Sequence, residues 1–276
     1  MDYNILNGKI VRDSLVESLK DSVNKLYKKP RLAIVQVGNR ADSTTFINAK
    51  KSFATKIGIE VEHFNYKEDI RESDLIIEIN KMNQDDKITG IIVQLPLPIS
   101  LDREHVINAI DPKKDADGLT AQNVQYLHNG RNDAIIPATA RGIKELLNYY
   151  HIDLFGKNVV VIGRSSLVGR PVSQVCLNEN ATVTVCHSKT QDLKEITKRA
   201  DIVIVAIGKP HLIDREYIRE GQIVIDIGIS KTEQGIKGDV DFDSVKDIVK
   251  AITPVPGGVG PMTVLGLFQN VLDLTR

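Results

Sequence analysis

Short apolar runs recur along the whole chain, each followed by a loop and then by a stretch with helical spacing. RLAIVQVG (31–38), TGIIVQLPLP (89–98), NVVVIG (158–163), ATVTVCHS (181–188), DIVIVAIG (201–208) and QIVIDIG (222–228) are the clearest. Runs this short and this rich in Val and Ile suit strands buried on both faces. The stretch Val61 to Tyr66 also reads as a strand. Between them lie helical patterns. Val11, Leu15, Leu19, Val23 and Leu26 share one face, and so do Leu75, Ile76, Ile79 and Met82. Ser43 is placed to cap a helix that runs to about Ile57, and Pro137 and Thr139 announce a connecting helix through Tyr150. After ITPVPGGVGP (252–261) a last helix runs to Arg276. This rhythm predicts an α/β fold with mostly parallel sheets. The 276 residues allow two modest domains, and two α/β domains with a cleft between them are expected. In open α/β sheets ligands sit outside the carboxyl ends of the strands, so the informative loops are those that follow strands.

Composition narrows the function classes. Lys+Arg and Asp+Glu balance at 36 each, so no basic excess points to nucleic acid or an anionic membrane. The start, MDYNILNGKI, lacks the basic and apolar regions of a signal peptide, and the apolar runs are too short to span a bilayer. Cys176 and Cys186 give neither a disulfide framework nor a metal spacing, and the six histidines are scattered. No metal site is expected, and a reducing, cytoplasmic setting fits best.

In NVVVIGRSSLVGRP, Gly163 directly follows a strand and Gly169 opens a helix. A tight turn whose backbone N–H groups face a phosphate needs such placement. The spacing departs from G-x-G-x-x-G, so a plain strand-to-helix turn with a surface arginine explains the loop equally well. The next strand ends TVCHSKT (184–190) with no acid to bind a ribose 2′-hydroxyl. Arg164 and Ser188 suit a 2′-phosphate instead, since a guanidinium fork donates two parallel hydrogen bonds. NADP is favoured over NAD.

The stretch TFINAKKSF (45–53) holds two adjacent lysines. On a wheel of ~100° per residue, Phe46, Phe53, Ala54 and Ile57 fall within about 60° of Lys50. Lys51 and Lys56 fall outside that arc. Lys50 therefore sits on an apolar face, where lysine either snorkels to water or serves as an amine whose pKa desolvation lowers. Gln94 interrupts a strand near its carboxyl end. It is either an edge residue or a hydrogen-bond partner for a nearby ammonium. Asp117, in KDADG, reads on pattern alone as a turn aspartate bonded to its own backbone.

Taken together, TFINAKK, GIIVQLPLP, DPKKDADG, GRSSLVGRP, TVTVCHSKT, GQIVIDIGI, GDVDF and TPVPGGVGPMT resemble, in order and spacing, the bifunctional methylenetetrahydrofolate dehydrogenase/methenyltetrahydrofolate cyclohydrolase family over nearly the whole chain. The resemblance implies an N-terminal folate-binding domain over 1–138, a Rossmann-type NADP domain over 139–260, and a last helix, 261–276, returning to the first. It implies NADP-dependent oxidation of 5,10-methylenetetrahydrofolate, then hydrolysis to 10-formyltetrahydrofolate, in a cytoplasmic homodimer. Lys50 matches the family's proton-transfer lysine, Gln94 its paired glutamine, and Asp117 the aspartate that binds the pterin NH groups, which reverses the turn reading. Phe46, Leu95, Pro96, Pro256, Gly257 and Gly258 fall at substrate-binding positions. Gly163, Arg164, Ser165, Val168, Gly169, His187, Ser188 and Ile229 fall at cofactor positions.

The sequence departs from that pattern in places. Phe46 replaces the usual tyrosine, Ser52 the second lysine, Gln125 a glycine, and Pro137-Ala138-Thr139-Ala140 the usual PCTP. A phenyl ring can stack but cannot hydrogen-bond. Both activities are expected to persist, with hydrolysis the weaker or more pH-sensitive. Two rival readings are a non-catalytic folate- or nucleotide-binding relative and another two-domain NADP dehydrogenase of the shikimate or amino-acid type.

Overall fold

The computed structural model describes residues 4–233 and 235–276. Strands β1 (Arg31–Val37), β2 (Glu60–Tyr66) and β3 (Gly90–Val93) form a parallel sheet in the order β2-β1-β3. β1 is central, and its Leu32, Ala33, Ile34 and Val35 are fully buried. Alternate residues face opposite ways. Ala33, Val35, Ile91 and Val93 pack with Leu75, Ile79 and Met82 of the Glu72–Gln84 helix. This sheet and its helices belong to one compact unit, Ser14–Ala138 with Leu267–Arg276.

A second parallel sheet is built from β4 (Asn158–Ile162), β5 (Thr182–Cys186), β6 (Ile202–Val205), β7 (Ile223–Asp226) and, after a short β8–β9 hairpin (Ser230–Thr232 with Gly235–Lys237), β10 (Ala251–Ile252). Its order is β10-β7-β6-β4-β5. β4 therefore lies between the strand that follows it and the strand after that, which makes its carboxyl end the topological switch point. Val160, Val203, Val205 and Val224 form its core with Ile213, Val240 and Val245. The unit comprises the residues up to Asp13 and Thr139–Gly266. The last helix, Val259–Asp273, contributes residues to both units.

Several sequence expectations shift. The first helical pattern breaks into Gly8–Ser14 and Val16–Asn24, with Leu15 between them. Ser43 does not cap its helix. The helix begins at Ala41, and Ser43 lies buried inside it. Phe46 is 46% exposed, unlike Ile47, Phe53, Ala54 and Ile57 on the same helix, so it lies off the packed stripe.

Candidate functional site

The helix Ala41–Ile57 lies over the face of the first sheet that carries Gln36, His63 and Gln94. Its buried positions Ser43, Ile47, Ala54 and Ile57 repeat at helical spacing, and Lys50 falls in the same stripe, half-buried. Lys50 Nζ donates to Gln94 Oε1 at 3.0 Å. Gln94 is 8% exposed and donates from Nε2 to Leu95 O at 2.9 Å, which fixes its amide with the oxygen toward the lysine. Gln94 sits one residue past β3, and its backbone N–H still bonds Val35 O at 2.8 Å.

The DPKKDADG segment continues alongside β3. Ile91 N donates to Lys114 O at 2.6 Å, and Ala116 N donates to Ile91 O at 3.2 Å. That register carries Asp117 to the carboxyl end of β3, within electrostatic reach of Lys50. Burial lowers the Lys50 pKa, and the Asp117 charge opposes that fall. Burial raises the Asp117 carboxyl, with Lys50 opposing and Asp115 adding to the rise. The backbone-bonding role that pattern assigned to Asp117 falls instead to Asp115. Its Oδ2 accepts from Thr120 N at 2.8 Å and from Asn123 Nδ2 at 2.9 Å. Asp117 makes no side-chain hydrogen bond among the described residues and is left for other work.

A second polar chain, which sequence reasoning missed, lies next to this one. Lys51 Nζ is 3.0 Å from His63 Nδ1, and His63 Nε2 is 2.9 Å from Gln36 Oε1. Gln36 Nε2 donates to Gly38 O at 2.8 Å, so its oxygen faces the ring and His63 carries its proton on Nε2. Burial lowers the His63 pKa, and the Lys51 charge adds to the fall. The available signal was period two on β1, which puts Gln36 on the face of Ile34.

In the second unit, the loop between β4 and the Gly169–Asn178 helix needs both its glycines. A Cβ on Gly163, at φ +125°, would lie 2.1 Å from Ala206 O, and one on Gly169 would lie 2.2 Å from Gly163 O. This brings the helix N-terminus close against the strand end, the arrangement that receives a phosphate. Ser165 Oγ accepts from Val168 N at 3.2 Å and Gly169 N at 3.3 Å, so that hydroxyl is already engaged at the helix start. Arg164 is exposed, and its guanidinium has no partner among the described residues. After β5, His187 Nδ1 accepts from Lys189 N at 3.2 Å and His187 N donates to Thr190 Oγ1 at 2.9 Å. This turn leaves Ser188 and Lys189 exposed. Lys189, a cation that sequence reasoning passed over, is exposed next to Ser188. Ile229, past the end of β7, is 45% exposed. The Pro256–Gly258 loop is held by Lys9 N, which donates to Gly257 O at 3.0 Å. Gly8 packs so closely there that a Cβ on it would reach Gly258 O at 2.0 Å.

Among the described residues no helix is long and apolar enough to cross a membrane, and no cluster of His, Cys, Asp and Glu could hold a metal ion.

Residues 6–117 match the model of the tetrahydrofolate dehydrogenase/cyclohydrolase catalytic domain, and residues 137–276 match that of the NAD(P)-binding domain of the same family. A protein of Agathobacter rectalis named bifunctional protein FolD is 46% identical, covering 99% of each chain. The crystal structure of the bifunctional enzyme FolD, methylenetetrahydrofolate dehydrogenase/cyclohydrolase, from Campylobacter jejuni superposes with a TM-score of 0.96. It is 40% identical and covers 98% of this chain and 97% of that one. The Trypanosoma brucei methylenetetrahydrofolate dehydrogenase-cyclohydrolase, solved with NADP cofactor and inhibitor, superposes with a TM-score of 0.93 at 35% identity, over 98% and 96% of the two chains.

Proposed function

The chain belongs to the tetrahydrofolate dehydrogenase/cyclohydrolase family, and from that membership we propose that it oxidises 5,10-methylenetetrahydrofolate with NADP⁺ and hydrolyses the resulting 5,10-methenyl cation to 10-formyltetrahydrofolate. The observation that carries the reading is the half-buried Lys50 bonded to Gln94 with Asp117 in electrostatic reach. NADP⁺, when bound, accepts the hydride at its nicotinamide ring. Hydride transfer asks the chain mainly for orientation. The Gly163–Gly169 turn fits a pyrophosphate, because a Cβ at either glycine would fill the space the backbone needs. The unpartnered Arg164, with Ser188 and Lys189 across the β4–β5 ends, fits a 2′-phosphate.

Asp117 orients the pterin by accepting its NH groups. Hydrolysis adds water to the methenyl carbon. The water loses one proton on attack and its second as the C=O forms, the bond from that carbon to N5 breaks, N5 takes up one of the two protons, and the other is released. Lys50 suits the proton transfers, since burial lowers its pKa, with Asp117 opposing, and so eases release of its proton. Gln94 keeps Nζ in place throughout. Phe46, half-exposed one turn before Lys50, offers a ring for the pterin but no hydroxyl, so hydrolysis is the slower and more pH-sensitive of the two activities.

The division of labour follows the family: 1–138 with 261–276 takes the folate, and 139–260 takes NADP. Leu95 and Pro96 contact the folate. Pro256, Gly257 and Gly258 approach the substrate, and Val168, His187 and Ile229 line the cofactor. The protein works as a cytoplasmic homodimer. The unpaired edge of β5, with Thr182, Thr184 and Val185 exposed, is a surface that a second copy can cover.

Paired assays test the core of the reading: NADP⁺-dependent oxidation of methylenetetrahydrofolate, and hydrolysis of methenyltetrahydrofolate. Lys50→Met abolishes hydrolysis and spares oxidation, and Phe46→Tyr speeds hydrolysis. Equal loss of both activities in Lys50→Met would overturn the assignment of Lys50. Folate binding with no turnover by the unaltered protein would overturn the enzyme reading.

A further inference from the structure

Two buried carboxylates lie under the loops that follow β6 and β7, and the reaction as described uses neither. Asp226 ends β7 and is 3% exposed, and Asp239 is fully buried. Asp239 Oδ2 accepts from Ile207 N at 2.6 Å and Gly208 N at 2.8 Å, and its Oδ1 accepts from Lys209 N at 2.8 Å. Asp226 Oδ1 accepts from Gly228 N at 2.9 Å and Asp239 N at 3.1 Å, and its Oδ2 accepts from Val240 N at 2.9 Å. The two side chains thus tie the segments 207–209, 226–228 and 238–240 into one block. The block has no slack. A Cβ on Gly228 would lie 2.1 Å from Asp239 Cγ, and one on Gly238 would lie 2.0 Å from Asp226 Oδ2.

All of these hydrogen bonds come from backbone N–H groups, so two acids are buried together with dipoles for partners. The N–H dipoles stabilise both carboxylates, but the two like charges still repel, and an approaching positive charge offsets that repulsion. The position of the pair suggests which charge. The β4 turn takes the pyrophosphate and the end of β5 takes the adenosine ribose. The nicotinamide half of the cofactor then extends to the other side of β4, over the ends of β6 and β7. The nicotinamide ring is cationic when oxidised and neutral when reduced.

We propose that the Asp226–Asp239 pair is a positioning element that shapes the β6 and β7 loops as the seat of the nicotinamide and, through its negative charge, makes that seat prefer NADP⁺ to NADPH. The inference rests on the cofactor reading given above. Preference for the oxidised form hastens exchange of the product nucleotide.

The test compares dissociation constants for NADP⁺ and NADPH in the unaltered protein and in Asp239→Asn, with hydrolysis of methenyltetrahydrofolate as a control for folding. The variant should lose at least about fivefold more affinity for NADP⁺ than for NADPH, as expected for one ring charge near a buried carboxylate. Its hydrolysis rate should stay within about twofold, because Lys50 belongs to the other unit. Equal loss of affinity for both forms would reduce the pair to structural support and overturn the charge argument. A second measurement needs no variant. Calorimetry at about pH 7, in buffers of different ionisation enthalpy, should show NADP⁺ binding releasing protons and NADPH binding releasing fewer, because a cation favours the ionised Asp226 carboxyl, whereas His211, Lys237, Asp241 and Asp243, which line the same pocket, meet both nucleotides alike. Equal proton release for the two forms would overturn the proposal. If the unaltered protein binds neither nucleotide, the cofactor reading itself fails, a result distinct from the other two.

Discussion

Asp226→Asn is expected to flatten the pH dependence of stability. Burial raises the Asp226 carboxyl from an ordinary 3.8 to about 7, against the pull of its backbone N–H partners, and the neighbouring Asp239 adds to the rise. The folded chain therefore keeps this proton at pH values where the unfolded chain has lost it. The stabilisation is fully present below about pH 4 and is lost as pH rises through about 7. At about 1.4 kcal/mol per unit, a rise of roughly three units is worth about 4 kcal/mol, of which about 3 kcal/mol disappears between about pH 5 and pH 8. Asparagine cannot titrate. It also puts an amide NH₂ against a backbone N–H, a cost of about 1–3 kcal/mol that is independent of pH. The informative quantity is thus the difference in slope. Urea unfolding of both proteins across that range should show the unaltered chain losing about 3 kcal/mol relative to the variant. Parallel pH profiles would refute the placement of an acid with a raised pKa at this position.

Two further changes test the cofactor loop. Gly163→Ala forces a Cβ to within 2.1 Å of Ala206 O at φ +125°. It should cost about 2 kcal/mol or more and weaken NADP⁺ binding, as read by thermal unfolding and by titration. Unchanged values in both would show that the loop can relax. Arg164→Ala should weaken NADP⁺ by about tenfold while barely altering NAD⁺, since only the former carries the 2′-phosphate. Equal weakening in a titration of the two would move the 2′-phosphate contact elsewhere, with Lys189 the first alternative.

The long parallel strands were legible because Val- and Ile-rich runs declare burial on both faces. β1 and β4 fall where RLAIVQVG and NVVVIG put them. Helix ends were less legible. Ser43 has the side chain of a cap, but the chain turned helical two residues earlier, so the hydroxyl was swallowed by the first turn. Short elements such as Arg103–Asn108 and Phe242–Val245 have too few turns to show a period. Lys50 could be found because a charge on an apolar stripe is rare. The same wheel misplaced Phe46, because an angle says nothing about whether the sheet extends far enough to cover that turn. The turn pattern gave Asp117 a backbone bond that the structure gives to Asp115, two residues earlier. Only the register against β3 shows which one the backbone uses. Asp226 and Asp239 were hidden for a related reason. An acid at the end of QIVID or within GDVDF looks like ordinary loop polarity until the backbone donors are seen to converge on it.

The contribution of the last helix to the first unit has a consequence for how the protein is made. Phe268 is fully buried and packs at a tilt of 42° against Phe53, 5.6 Å between ring centroids, on the helix that carries Lys50. Asn270 Nδ2 donates to Ala116 O at 2.8 Å and to Ile136 O at 2.9 Å, beside Asp117. Lys50 and Asp117 are thus translated well before their supports, Phe268 and Asn270. During synthesis at roughly 5–20 residues per second, the first unit waits many seconds with Phe53 unmatched and two carbonyls unclaimed. A chain cut short before Leu267 would keep every residue assigned to the chemistry and lose the scaffold that aims them.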